Sequence, residues 1–238
     1  MSKPKISVLL PTRKRVDAVI KSLSSLILTA TDQSAIEIMI AYDADDDESR
    51  AFFADQWVDF IGQSECSYQI FETERFGYTR LNEYVNLLGE NAQGDWVFFW
   101  NDDSLMLTDG WDQEVLKHDP TALKLLRIPC QNMNHPFALM PIIPRAWIDV
   151  FGCISPVSHS DWWIFNVCYP NQLVIDLNAL FYHDRADVTG GNNDETFAER
   201  SYSADGQDPT NLYDYVHPQR QHELREWIKQ LSEYNTNV

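Results

Sequence analysis

Two rhythms of hydrophobic and polar positions alternate along the first part of the chain. Ile6-Ser7-Val8-Leu9-Leu10 is a nearly unbroken apolar run closed by Pro11-Thr12-Arg13. It predicts a buried strand that stops where proline can no longer donate to a sheet ladder. Val16, Val19, Ile20, Leu23, Leu26 and Ile27 then recur at helical spacing. The pair of rhythms returns as a strand over residues 36–42 and a helix with Phe52, Phe53, Trp57, Phe60 and Ile61 as its core face. It returns again as a short strand over 68–71 and a helix faced by Leu81, Tyr84, Val85 and Leu88. The fourth strand, Trp96-Val97-Phe98-Phe99-Trp100, is entered through Gly94-Asp95 and ends abruptly in Asn101-Asp102-Asp103. Its valine and aromatic content marks a central strand covered on both faces. Strand and helix in repeated alternation predict an α/β fold with a mostly parallel, Rossmann-like sheet and right-handed crossovers.

Beyond residue 103 the pattern shortens. A turn leads into a short helix over 109–116, and strands are expected over 123–128 and 137–143, the second stopped by Pro144. Residues 145–152 read as a short helix with Gly152 as its stop. Ser160 is an N-cap candidate for an aromatic helix, with Asp161 in the first turn. An apolar strand over 173–182 ends in His183-Asp184-Arg185. Residues 187–207 are polar and glycine-rich and read as a loop or lid. Pro218 opens a last helix with Leu224, Trp227, Ile228, Leu231 and Tyr234 at helical spacing, suited to packing or to a homo-oligomer contact. With no internal repeat or long linker, one domain with a C-terminal appendage is expected.

Charge narrows the function classes. The 18 basic and 36 acidic residues leave a formal net charge of −18, which argues against a general nucleic-acid or anionic-membrane binder. An anionic substrate would need a bridging cation and a few local Arg or Lys residues. The hydrophobic share of 44% is enough for a packed core. Cys66, Cys130, Cys153 and Cys168 form no C-x-x-C pair and fit no zinc module, so they are expected as buried thiols in a reducing compartment. Met-Ser-Lys-Pro-Lys carries no apolar leader, and no run approaches membrane-span length, so a cytoplasmic protein is expected.

The candidate chemistry gathers at strand ends. Ligand crevices of open α/β sheets lie outside the carboxyl ends of the strands. Asp102 and Asp103 would sit there, and paired carboxylates suit Mg²⁺ or Mn²⁺; a solvated Asn-Asp-Asp turn is the plainer alternative. Arg13, Lys14 and Arg15 form a basic cluster in an acidic protein, for phosphate contact or as a solvated turn. Five carboxylates crowd residues 43–48, where Asp43 or Asp45 can point inward to a base or ribose while the rest favour a helix start. Gly77 allows close approach to a ligand, and Arg80 and Asn82 begin a helix whose free N–H groups attract anions. Asp161 either serves its helix dipole or does chemistry. His183 repeats the motif of a metal-capable side chain just past a strand, and Arg185 and Arg200 are within reach of a diphosphate. No G-x-G-x-x-G or G-x-x-x-x-G-K-[ST] follows any strand, which removes the main support for dinucleotide and P-loop readings.

Together these residues resemble the GT-A glycosyltransferases, especially the family 2-like branch. Residues 6–13 are similar to the opening strand and nucleotide loop of that family, and Tyr42-Asp43-Ala44-Asp45 to its second acidic strand end. Phe76-Gly77-Tyr78-Thr79-Arg80-Leu81-Asn82 resembles its Gly, Arg/Asn helix start, and Trp100-Asn101-Asp102-Asp103 its DXD motif. The resemblance, over about residues 5–185, implies a GT-A catalytic domain at 1–186. Its nucleotide-sugar half would be about 1–104 and its acceptor half 105–186, with 187–238 a loop and helix packed on it. It implies nucleotide contacts from Pro11, Thr12, Arg13, Asp43, Asp45, Gly77, Arg80 and Asp102. It further implies Mn²⁺ or Mg²⁺ on Asp103 and His183, and Asp161 as the base of an inverting transfer from a nucleotide-sugar, UDP favoured, to a carbohydrate or other hydroxyl. Asn101 departs from the family by replacing the first Asp of DXD, and the chain is short on the acceptor side. Two other functions share such a scaffold. A nucleotidyltransferase would be expected to carry glycine in the loop after the first strand, which residues 11–15 lack. The other is a non-catalytic carbohydrate-binding or structural protein on a degenerate transferase scaffold.

Overall fold

The computed structural model describes residues 5–135, 137–190, 194–196, 198–199 and 208–237. The elements run β1 (Ile6–Thr12), α1 (Val16–Leu28), β2 (Ile36–Asp43), α2 (Asp47–Asp55), α3 (Trp57–Ile61), β3 (Ser67–Thr73), α4 (Leu81–Asn91) and β4 (Trp96–Phe99). They continue as β5 (Ser104–Met106), α5 (Trp111–Leu116), β6 (Leu125–Arg127), β7 (Pro141–Pro144), α6 (Ala146–Phe151), α7 (Ser160–Cys168), β8 (Val174–Asp176), β9 (Phe181–His183) and α8 (Ala186–Thr189). A C-terminal helix, Pro218–Asn237, closes the chain.

The main sheet has seven strands in the order β3-β2-β1-β4-β7-β6-β8, and β5 and β9 form a separate two-stranded ribbon. β3, β2, β1 and β4 are mutually parallel. β7 runs antiparallel to both of its neighbours, while β6 and β8 pair parallel. This is an α/β fold with a mostly parallel central sheet flanked by helices.

Alternation along the strands sorts the core into two layers. Ile6, Val8 and Leu10 of β1, with Ile36, Ile38 and Ile40 of β2 and Trp96 and Phe98 of β4, face α1, α2, α3 and α5. Leu9, Met39, Val97 and Phe99 face the other way, onto α4, α6, α7 and the C-terminal helix. That last helix inserts Leu224 and Leu231 beside Trp163 of α7. Leu231 is fully buried, so truncating it to alanine should cost about 2–5 kcal/mol. Gly94 lies where the chain crosses β1: a Cβ there would stand 2.6 Å from the Ser7 amide nitrogen. The expected central strand is therefore entered through a position that tolerates no side chain.

Several local expectations are corrected. β1 does not stop before Pro11 but runs to Thr12. The Trp100 N–H donates to the Leu9 carbonyl at 2.9 Å, so the polar groups of Leu9 face β4. Pro11, two residues on, faces the same side beyond the last β1–β4 pair, Leu9 with Phe99. No donor is needed there. The strand expected over 137–143 contracts to Pro141–Pro144. The one expected over 173–182 is two strands, because the chain leaves the sheet edge after Asp176 and re-pairs with β5. β5 itself was not anticipated. His159, not Ser160, occupies the cap position of α7, and the Ser160 hydroxyl donates to the Val157 carbonyl at 3.3 Å. Asp161 is in the first turn, as expected. Among the described residues no helix is long and apolar enough to cross a membrane.

Candidate active site

Because β1, β2 and β4 are parallel, their C-terminal ends open on one edge of the sheet. A cavity of about 690 Å³ lies there. Pro11, Thr12, Arg13, Asp43, Gly77, Asp102, Asp103, Asp161, His183 and Arg185 all line it. All ten are sequence candidates, gathered from six separate segments of chain.

The ribbon explains how Asp103 meets His183. β5 and β9 pair with Ser104 opposite His183, which sets Asp103 beside the histidine. Asp103 Oδ1 and His183 Nε2 are 2.9 Å apart. Asn132 fixes the histidine backbone from both sides: its Oδ1 accepts the His183 N–H at 3.0 Å and its Nδ2 donates to the His183 carbonyl at 2.9 Å. Burial alone would raise the Asp103 carboxyl, but the hydrogen bond and charge of His183 outweigh it and hold the group below its ordinary value.

This pair fits a divalent ion. Two adjacent ligands of an octahedral ion at about 2.1 Å stand about 3.0 Å from each other, the separation seen here. One carboxylate oxygen and one imidazole nitrogen suit Mn²⁺ or Mg²⁺ with further oxygen ligands from a phosphate or water. No set of three or more His, Cys, Asp or Glu side chains arranged for a metal occurs among the described residues, so the remaining positions would fall to substrate. Nδ1 of His183 is buried with no hydrogen-bond partner among the described residues. The ring therefore lacks the outer carboxylate or carbonyl that commonly orients a ligating histidine.

Asp102, although adjacent, is used differently. Its Oδ2 accepts the Thr12 hydroxyl at 2.8 Å and its Oδ1 the Arg15 guanidinium at 3.0 Å. Burial pushes its carboxyl up against the opposing pull of Arg15, and the neighbouring Asp103 adds to the rise. Asp43, at the end of β2, is 1% exposed. It accepts from the Tyr84 hydroxyl and, at 2.8 Å, from Arg13. Burial raises its pKa, and Tyr84 and Arg13 lower it, with a net rise.

Two candidates lie outside the cavity lining. Asp45 is exposed and forms a two-point ion pair with Arg13, at 2.5 and 3.1 Å. The Arg80 guanidinium sits over the rings of Phe76 and Tyr213, 4.9 and 5.5 Å from their centroids. It is a packing cation between two aromatic faces, not a group aimed at the crevice. Arg200 lies outside the described residues.

Asp161 comes from the opposite wall. Its Oδ1 accepts the N–H of Trp162 at 2.8 Å. Burial raises its carboxyl, and that backbone bond and the nearby His159 and His135 only partly offset the effect. His135 is itself lowered by burial, with Asp161 pulling the other way. Of Trp100, Trp162 and Trp163, the first and last are fully buried in the core. Trp162 alone remains partly exposed, lining the cavity and stacked on Tyr215 at 4.2 Å.

Sequence reading missed Tyr84, His135, His159 and Tyr215 as wall residues, and it did not single out Arg15 within its basic cluster. Arg15 is the member of that cluster that reaches Asp102. The helical spacing of Leu81, Tyr84, Val85 and Leu88 signalled only a core face for Tyr84, yet its hydroxyl donates to Asp43.

No family model matches the chain, and no curated protein matches it by sequence. Solved structures do. The mannosyltransferase PcManGT from Pyrobaculum calidifontis, in complex with GDP-Man and Mn²⁺, superposes with a TM-score of 0.60 at 14% identity, over 98% of this chain and 74% of that one. S. aureus TarS 1-349 in complex with UDP gives 0.56 at 14% identity, over 98% and 90%. The same protein with UDP-GlcNAc gives 0.55 at 14% identity, over 97% and 80%. The parallel β3-β2-β1-β4 half, the crevice at its carboxyl edge and these superpositions agree: the chain has the GT-A fold of nucleotide-sugar glycosyltransferases.

Proposed function

We propose that this protein is a glycosyltransferase that moves a sugar from a nucleotide-diphosphate sugar to an acceptor hydroxyl, with a divalent ion and with inversion. One observation carries the reading. The Asp103–His183 pair and Asp161 line the same cavity from different elements, the Asp103 carboxyl held below its ordinary pKa beside the histidine and the Asp161 carboxyl raised above its ordinary pKa by burial. Neighbours of the same fold bind GDP-Man with Mn²⁺, UDP and UDP-GlcNAc, which supports the donor class.

A divalent ion on Asp103 and His183 would supply Lewis-acid neutralisation of the leaving diphosphate. Arg13 orients Asp43, and Arg15 orients Asp102. Each carboxylate oxygen has two acceptor sites, so Asp43 retains capacity for the imide N–H of a uracil, which favours a UDP-sugar. Asp102 retains the same capacity for ribose. Asp161 Oδ1 is committed to its own helix turn, which leaves Oδ2 to take the proton of the acceptor hydroxyl. General-base help of this kind is worth about 10²–10⁴-fold. Attack from the face opposite the leaving diphosphate in a single displacement inverts the anomeric centre. Trp162 offers an aromatic face to the sugar or the acceptor.

The direct test is a thermal-shift screen of UDP, GDP, CDP and ADP with and without Mn²⁺, followed by donor hydrolysis with the sugar form of whichever binds. Ligands that bind only the native state raise its apparent stability. A Mn²⁺-dependent shift by one nucleotide is expected, with UDP first. The absence of any shift would return the chain to a non-catalytic scaffold.

A further inference from the structure

The basic groups around the nucleotide end of the cavity are already holding anions, and those anions belong to the chain itself. Asp194 grips Arg15 with both oxygens, at 2.6 Å to Nε and 2.7 Å to Nη2. Glu195 pairs with Lys14 at 2.8 Å. The Glu199 carboxylate accepts from Arg75 at 2.7 Å and from the Tyr78 N–H at 3.1 Å. Between them the Thr196 hydroxyl donates to the Arg13 carbonyl at 3.4 Å. Thr196 and Glu199 line the same cavity as Asp102, Asp103 and Asp161.

Gly77 shows how closely one of these acids is seated. Its φ is +71°, and a Cβ on it would stand 2.6 Å from Glu199 Oε1. The close approach to the glycine backbone expected of a ligand is made by a carboxylate oxygen of the chain. The Nε–Nη2 fork of Arg15 is taken by Asp194, and Nη1 is bonded to Asp102. A diphosphate and these carboxylates therefore compete for the same donors. An oxygen of either kind satisfies a guanidinium fork equally well in geometry, but two anions on one fork repel.

We propose that Asp194, Glu195, Thr196 and Glu199 form an acidic strap that occupies two anion subsites, Arg15 and the Arg75–Tyr78 N–H pair, and that the diphosphate of the donor displaces it. The inference rests on the donor-site reading above and adds to it a self-competition. Apparent affinity falls by the fraction of molecules in which the site is open. A strap closed about nine-tenths of the time weakens diphosphate binding about tenfold.

The test compares the full-length protein with Asp194→Asn/Glu199→Gln, which keeps shape and removes charge. A control, Asp109→Asn/Glu226→Gln, removes the same charge from exposed positions elsewhere. Calorimetry with Mn²⁺ follows inorganic pyrophosphate and UDP separately. About tenfold tighter pyrophosphate binding by the strap variant, with the control unchanged, is the expected result. Equal or weaker pyrophosphate binding by the strap variant overturns the strap, as does equal tightening in the control, which would make the effect one of net charge. Tighter pyrophosphate with no UDP binding by any form upholds the strap and removes the nucleotide reading. Tighter binding of both upholds the two together.

Discussion

The carboxyl edge of the parallel strands and the first turn of α7 each present carboxylates to one cavity, and they treat them in opposite ways. At the strand ends every acid is answered by a basic side chain or a hydroxyl: Asp43 by Arg13 and Tyr84, Asp102 by Arg15 and Thr12, Asp103 by the His183 ring. On α7 Asp161 has a backbone N–H of its own turn, with two imidazoles near. The result is an Asp103 held below its ordinary pKa and an Asp161 held above it. Carboxylates pushed apart in this way separate the work of charge stabilisation from the work of proton transfer.

Removing either carboxylate breaks the comparison, and the two losses should differ in kind. Asp161→Asn should lower the transfer rate about 10²–10⁴-fold while leaving the Mn²⁺-dependent nucleotide Kd unchanged. Transfer at the native rate would end the base assignment. Asp103→Ala should abolish the metal-dependent part of nucleotide binding, with a loss of at least about 10²-fold in affinity or rate. A Mn²⁺ titration that still shifts nucleotide affinity would take the ion elsewhere.

The same contrast has a pH signature. A base must be deprotonated, so transfer should rise with pH, with its acid limb displaced above the ordinary carboxylate value of 3.8. In the native state Asp161 binds its proton more tightly than in the unfolded chain. Its contribution to stability is therefore present below the unfolded value and lost as pH rises through the raised native one. Asp161→Asn should then raise Tm near neutral pH while removing activity. A Tm that falls near neutral pH would mean that the carboxylate is a structural partner and not a strained one.

How much of this was readable beforehand follows the same divide. The parallel half carries long, uninterrupted apolar runs, so β1, β2, β4 and their helices were legible from periodicity, and the abrupt polar residues at their ends gave Asp43, Asp102 and Asp103. The second half was harder. β5 and β9 have three residues each, too few for alternation to register, and their pairing alone sets Asp103 against His183. The split between β8 and β9 is marked in the sequence only by Asp176 and Asn178 within an otherwise apolar stretch, and the change of partner strand decides the break. Arg80 was misplaced for a related reason. A basic residue at a helix start looks like an anion ligand, and nothing local announces that Phe76 and Tyr213 will bracket it. The strap contacts join positions as far apart as Arg15 and Asp194, which no local pattern encodes.

Two milder changes sharpen the contrast. Asn132→Ala removes both hydrogen bonds that hold the His183 backbone without touching a proposed metal ligand. Outer-layer partners of this sort commonly change metal affinity about 10–100-fold, so the Mn²⁺ requirement should rise while the rate at saturating Mn²⁺ is largely kept. A fall in rate at saturating metal with unchanged Mn²⁺ affinity would mean that Asn132 acts through the wall of the cavity instead.

The smallest effect belongs to Arg80. Its charge stacks between two rings, and its Nε is buried without a hydrogen-bond partner among the described residues. Arg80→Met keeps much of the aliphatic contact and removes the charge. The loss of a cation–π contact of this type is about 0.5–2 kcal/mol, offset by relief of the unpaired Nε. Stability should therefore change by no more than about 1 kcal/mol, with nucleotide Kd unchanged. Calorimetric titration of the variant with UDP and Mn²⁺ checks it. A tenfold weaker Kd at unchanged Tm would put Arg80 back among the phosphate ligands and would require Tyr213 to move aside when the donor binds.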